Sequence, residues 1–211
     1  MRRALYVAAF DSQLKWCGRI RNELGARGYR CDVVVPDLRS ALSSGQIAAA
    51  GFAEVEQVSW AALVERALVA DVVVCSLVGP LTRALSSDLA ERLQTSGRPG
   101  PVVVTGWVGI ILDKITAGYL DRCGADVVAV NSLADLEHFR NAGRALDLPT
   151  DNLLLAGLPF LSAKPAPPRA SIQRLVLADQ PTVPESEAER RFLYAGAVAY
   201  AQAHPDREVV L

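Results

Sequence analysis

Apolar residues along this chain fall in short unbroken runs separated by amphipathic stretches. The runs are 4–10, 31–35, 71–77, 101–105, 126–131 and 152–156, with a shorter one near 53–58. Continuous apolar runs, as opposed to strict alternation, are the pattern of strands in a parallel sheet buried on both faces. Between them, Leu14, Cys17, Ile20 and Leu24 recur near one face of a helix, and Gly25 and Gly28 supply its stop. Leu81, Leu85, Leu89 and Leu93 form a second stripe opened by Pro80 and closed by Gly97. Ser132 with Asp135 predicts a capped start for a third helix carrying Leu136 and Phe139. Strand and helix alternating in this way predict a doubly wound, Rossmann-like α/β domain.

The grammar changes after residue 156. Residues 162–171 are rich in proline and predict an extended linker, so the first domain is expected to span 1–161. A second run then opens with a strand over 172–178. A loop bounded by Pro181 and Pro184 follows, then a helix from Ser186 to about Ala203 whose start Ser186 and Glu189 specify, and a last apolar strand from Glu208. Residues 172–211 are therefore expected to be the truncated start of a second Rossmann-like domain.

Composition narrows the function classes. Hydrophobic residues make up 51% and charged residues 21%, as in an ordinary globular protein, and the formal net charge is −1. The basic residues form no long stripe, so neither nucleic acid nor an acidic membrane surface is an expected partner. No stretch approaches the roughly 20 apolar residues of a membrane span. The four cysteines are widely separated and suit buried thiols in a reducing cytoplasm, the expected location. No group of His, Cys and Asp has metal-ligand spacing. Neither GxGxxG nor GxxxxGK[ST] follows a strand, which removes the main support for dinucleotide and P-loop readings.

In an open α/β sheet, ligands bind beyond the carboxyl ends of the strands. That rule selects Asp11, Ser12, Gln13 and Lys15 after the first strand, Gly106, Trp107 and Gly109 after the fourth, and Asn131 and Ser132 after the fifth. Asp11 is either a helix N-cap or a carboxylate able to take a proton from an attacking hydroxyl. Lys15 and Arg19 are either solvent-facing charge or ligand contacts. Trp107 between two glycines is either a packing residue of a tight loop or an aromatic wall for a sugar ring. The loop at Gln180, Pro181 and Thr182 precedes a helix N-terminus and is either a rigid turn or a phosphate contact facing a cleft between two domains.

The opening Phe10-Asp11-Ser12-Gln13-Leu14-Lys15-Trp16 carries a family resemblance. So does the later order of Gln180-Pro181, a helix with Tyr194 and Tyr200, then Ala203-His204-Pro205 and Arg207 to Val210. These segments resemble bacterial GT-B glycosyltransferases of the lipooligosaccharide sialyltransferase and polysialyltransferase type, and uncharacterised actinobacterial glycosyltransferases. The resemblance implies a nucleotide-sugar donor, CMP- or UDP-linked, a glycan or lipid acceptor, and chemistry without a metal or other cofactor. It implies Asp11 as general base and Gln180 and Pro181 beside the donor nucleotide. It also implies a Lys-Pro segment beyond Glu208 that helps hold the donor, so the 211 residues alone are expected to be inactive. Two other readings stay open: a non-catalytic Rossmann-like module that binds a nucleotide or a protein, and a sugar-nucleotide epimerase of GT-B architecture.

Overall fold

A computed structural model describes residues 1–37, 42–111, 114–158, 161, 171–178, 184 and 186–210. The chain divides into two compact units, Met1–Ser162 and Ala163–Leu211. In the first, seven strands form one parallel sheet: β1 (Arg3–Val7), β2 (Arg30–Pro36), β3 (Glu56–Val58), β4 (Val72–Cys75), β5 (Val102–Gly106), β6 (Val127–Val130) and β7 (Leu153–Leu155). Their spatial order is β3-β2-β1-β4-β5-β6-β7, which reverses direction between β1 and β4. This is the doubly wound arrangement predicted from the unbroken apolar runs.

The helices follow from the reversal. Helices α1 (Asp11–Ala26) and α2 (Ser44–Ala49) serve the branch running outward through β2 and β3. Helices α3 (Trp60–Leu68), α4 (Gly79–Ser96), α5 (Ile115–Leu120) and α6 (Leu133–Ala145) serve the other branch. On one face Leu14, Trp16 and Cys17 of α1 pack with Tyr6, Val35 and Val74. On the other, Leu63 of α3 and Leu85 of α4 pack with Val7, Val73 and Cys75. Cys75 pairs with Thr105 and Thr105 with Val128, so the cluster of Val128, Phe139 and Tyr119 lies on the α3–α4 side too. On the α1 side cover thins toward β7, where Leu154 stays 56% exposed.

Two local signals from the sequence hold. Gly97 ends α4 in the left-handed region at φ 62°, which a side chain resists. Ser132 Oγ accepts from Asp135 N at 3.1 Å at the start of α6. Asp-Val-Val occurs at 32–34, 71–73 and 126–128, and in the last two the aspartate fastens a neighbouring strand. Asp71 Oδ2 accepts from Arg3 N at 2.6 Å, and Asp126 Oδ2 from Val103 N at 2.7 Å, each pinning the amino end of the neighbouring strand. The apolar run 4–10 is shorter as a strand than it reads: β1 ends at Val7, and Ala8 and Ala9 are buried in the turn leading to α1. The short helices α2, α3 and α5 carry too few periodic positions to stand out in the sequence.

In the second unit β8 (Arg174–Val176) pairs in parallel with β9 (Glu208–Val210), and α7 (Glu187–Ala203) connects them. Ser186 Oγ accepts from Glu189 N at 3.2 Å and donates to Glu189 Oε2 at 2.7 Å, the predicted capped start. The linker residues 162–170 lie outside the described residues, as do Gln180, Pro181 and Thr182.

Phe139 is fully buried and stacks on Trp107 at 4.8 Å and on Tyr119 at 5.2 Å. Truncation by Phe139→Ala is expected to cost about 3–5 kcal/mol, read as a lowered urea midpoint with little change in slope.

Candidate functional site

The reversal of strand order leaves the ends of β1 and β4 as the place where consecutive crossovers diverge. Beyond β1 the chain runs through buried Ala8 and Ala9 to Phe10, the N-cap of α1, and Asp11, its first helical residue. Asp11 is therefore not the N-cap, and its carboxylate bonds no backbone N–H among the described residues. Gln13 does that work. Its Oε1 accepts from Ala9 N at 2.7 Å and from Phe10 N at 3.2 Å, and the side chain is 5% exposed. The carboxylate of Asp11 is left partly exposed, with Lys15 Nζ 3.5 Å away one turn along the helix. Ser12 beside it is exposed.

The end of β4 is closed by the protein's own charge. Helix α4 starts at Gly79-Pro80 without a side-chain cap on Val78. A Cβ on Gly79 would stand 2.2 Å from Asp121 Oδ2, so this glycine lets the Asp121 carboxylate approach the helix start. Arg83 lies 3.5 Å from the same carboxylate. The helix N-terminus that a phosphate would seek thus already faces an internal anion.

Arg122 closes the neighbouring edge. It is 6% exposed, and its guanidinium donates to Leu77 O at 3.1 Å, Gly106 O at 3.2 Å and Gly118 O at 3.0 Å. Those bonds tie the ends of β4 and β5 to α5. Burial pushes its pKa below the ordinary arginine range, while Cys75 and Asp121 act the other way. The guanidinium also lies 4.6 Å from the Trp107 ring centroid. Trp107 therefore packs against Arg122 and Phe139.

The remaining candidates after β5 and β6 form one local frame. Asn131 Nδ2 donates to Trp107 O at 3.2 Å and to Gly109 O at 2.7 Å, which fixes the loop 107–109. Ser132 is engaged as the α6 cap. Gly106 is required by close approach: a Cβ there would lie 2.8 Å from Ala129 O and 3.2 Å from Trp16 Cζ2. Trp16 thus seats the first turns of α1, which begin with Asp11, against the end of β5. Gly109 has open space where a side chain would stand. Among the described residues no group of three His, Cys, Asp or Glu side chains could hold a metal ion, and no helix is long and apolar enough to cross a membrane.

Asp121 and Arg122 carry no mark in the sequence, and Gln13 is selected there only by its place after the first strand, without a capping role. A glutamine three residues after the N-cap is a known capping signal and could have exposed Gln13. Arg122 has no such mark, because its acceptors lie as far as 45 residues away.

Over residues 4–211 the chain matches the model of a family described as "Putative glycosyltransferase (DUF6716)". No curated protein matches it.

Two stability predictions separate these roles. Gln13→Ala is expected to cost about 1–2 kcal/mol by stranding two backbone donors, whereas Asp11→Ala changes stability by less than about 0.5 kcal/mol. Equal losses in parallel chemical melts would contradict the assignment of capping to Gln13. Arg122→Met is expected to cost at least about 2 kcal/mol, since three carbonyls lose a charged donor, and to quench or shift Trp fluorescence by loosening Trp107.

Proposed function

The chain belongs to this glycosyltransferase family, and on that premise we propose that it moves a sugar from a nucleotide-linked donor to a hydroxyl of a glycan or lipid. The donor is CMP- or UDP-linked, the architecture is GT-B, and the chemistry is metal-independent, as in the sialyltransferase-type enzymes it resembles. Such donors are cytoplasmic metabolites, and the reading assigns the enzyme to that compartment.

Asp11 is the base. As the acceptor oxygen bonds to the anomeric carbon, its proton passes to an Asp11 carboxylate oxygen. The bond from that carbon to the donor phosphate breaks, and the nucleotide leaves with the electron pair. Lys15 orients the Asp11 carboxylate between turnovers, and Ser12 lies beside the acceptor. Trp107, Gly109, Asn131 and Ser132, with Gly106 at their base, shape the loops that bound the acceptor. Gln180, Pro181 and Thr182 contact the donor nucleotide.

One observation carries this reading. The carboxylate at the end of the central strand is excused from capping by Gln13 and stands partly exposed beside the strand-order reversal. A residue needed only to start α1 would spend its oxygens on the backbone.

The test is Asp11→Asn in the full-length protein, including the donor-holding segment that the resemblance implies, assayed by release of free nucleotide and by transfer to an acceptor glycan. Turnover should fall by about 10²–10⁴-fold with the melting temperature kept. Unchanged turnover in the Asn variant sinks the assignment of the base. Activity lost together with the fold would be checked against Asp11→Glu, which keeps a carboxylate and should retain part of the rate.

A further inference from the structure

Helix α1 carries Lys15, Arg19 and Asn22 at i, i+4 and i+7, so the three share one side of the helix. With Arg21 they line a cleft of about 320 Å³ whose opposite wall is Ala49, Ala50 and Gly51 at the end of α2. The helices come close at Gly18, where a Cβ would stand 3.1 Å from Ala50 O. Among the described residues no carboxylate lines this cleft.

About half of the described arginines of this unit have a carboxylate partner: Arg3, Arg27, Arg30, Arg66, Arg83 and Arg92 each lie within 4 Å of one. A second cavity, of about 470 Å³ at the amino ends of β1 and β2, is lined by such pairs: its Arg3 and Arg30 meet Asp32, and its Arg66 meets Glu56. In the α1–α2 cleft, Arg19 has no ion pair or hydrogen bond among the described residues, and the Arg21 guanidinium rests over the Phe52 ring at 5.1 Å. Lys15 meets only Asp11, at the head of the helix. A chain of net charge −1 therefore keeps two arginines in this concavity without a carboxylate partner among the described residues, beside a lysine shared with Asp11. Concave patches of one sign concentrate the potential and attract the opposite sign.

We infer that this cleft seats an anionic group, a carboxylate or a phosphate, carried by the acceptor saccharide. The word acceptor rests on the transferase reading above; the anion site does not. The planar forks of Arg19 and Arg21 suit two oxygens of one anion, with Lys15 as a point charge and the Asn22 amide as a neutral donor. Eight helical positions separate Asp11 from Arg19, about 12 Å along the axis. An oligosaccharide spans that distance and a single sugar does not, so the charge sits on a residue remote from the reacting hydroxyl. The cleft then selects acidic oligosaccharides over neutral ones.

The experiment is calorimetric titration of the full chain with tetragalacturonate, with a mannotetraose bearing one phosphate ester, and with neutral mannotetraose. The inference expects at least one charged probe to bind at least tenfold more tightly than the neutral one, and the ratio of the two charged probes identifies the anion. Raising salt should weaken that binding. Arg19→Ala and Arg21→Ala should each lower it about tenfold, and the lysine replacements should restore part of the loss. Absence of charged-probe binding, equal binding of the neutral probe, or full affinity in the double alanine variant each overturns the site. Asp11→Asn separates the two claims: it should abolish turnover and leave probe affinity intact. If the Asn variant turns over normally while the arginine variants lose binding, the assignment of Asp11 as base fails and the anion site stands. If the Asn variant is dead while the arginine variants bind as before, the anion site alone fails.

Discussion

Strand β1 pairs along its length with β2 on one side and β4 on the other, and the rest of the larger unit is arranged by that double pairing. A parallel pair cannot be closed by a hairpin, so each connection must cross over through a helix. The crossovers lie on one face for the branch through β2 and on the other for the branch through β4. Chains leaving β1 and β4 therefore part in opposite directions. Asp11 stands at that point because α1 begins four residues after β1 ends. Burial keeps β1 in place: Leu5 is 4% exposed, and Tyr6 and Val7 are completely enclosed.

Around this opening most polar groups are spent on the backbone. Gln13 satisfies two amides, Asn131 two carbonyls, Arg122 three carbonyls, and Ser132 the start of α6. Buried amides and carbonyls left without partners cost more than a made bond returns, so such residues answer first to the loops they hold. Asp121 belongs to the same group, since its carboxylate faces the α4 start across Gly79. What remains uncommitted is small: the Asp11 carboxylate with its lysine, and the cations farther along α1. Both lie on the same helix, so its seating by Trp16 against Gly106 orients them together.

Charge is distributed by edge as well as by residue. At the amino ends of the strands, aspartates close the sheet by accepting from neighbouring amides, and Asp32 meets Arg3 and Arg30. These exposed pairs contribute little to stability, about 0–1 kcal/mol each, but they leave that edge electrically quiet. In the α1–α2 cleft, Arg19 and Arg21 have no such compensation among the described residues. A near-neutral total thus hides two different surfaces, and the reading of the α1–α2 cleft depends on their contrast more than on net charge.

The layered α/β architecture was legible in unbroken apolar runs, because burial on both faces of a parallel strand leaves no room for polar alternation. Helix ends marked by Pro80, Gly97, Ser132 and Ser186 were legible too, since caps are local chemistry within four residues. Asp11 could be located beyond the first strand, yet its role as cap or free carboxylate could not be read there. Phe10 and Gln13 settled it through bonds that exist only once the turn from β1 into α1 is made. The same holds for Trp107, whose neighbours Arg122 and Phe139 arrive from α5 and α6. Pattern along a chain reports which faces avoid water; which distant donor meets which carbonyl is a matter of three-dimensional packing, and here that packing left Asp11 and the α1 cations uncommitted.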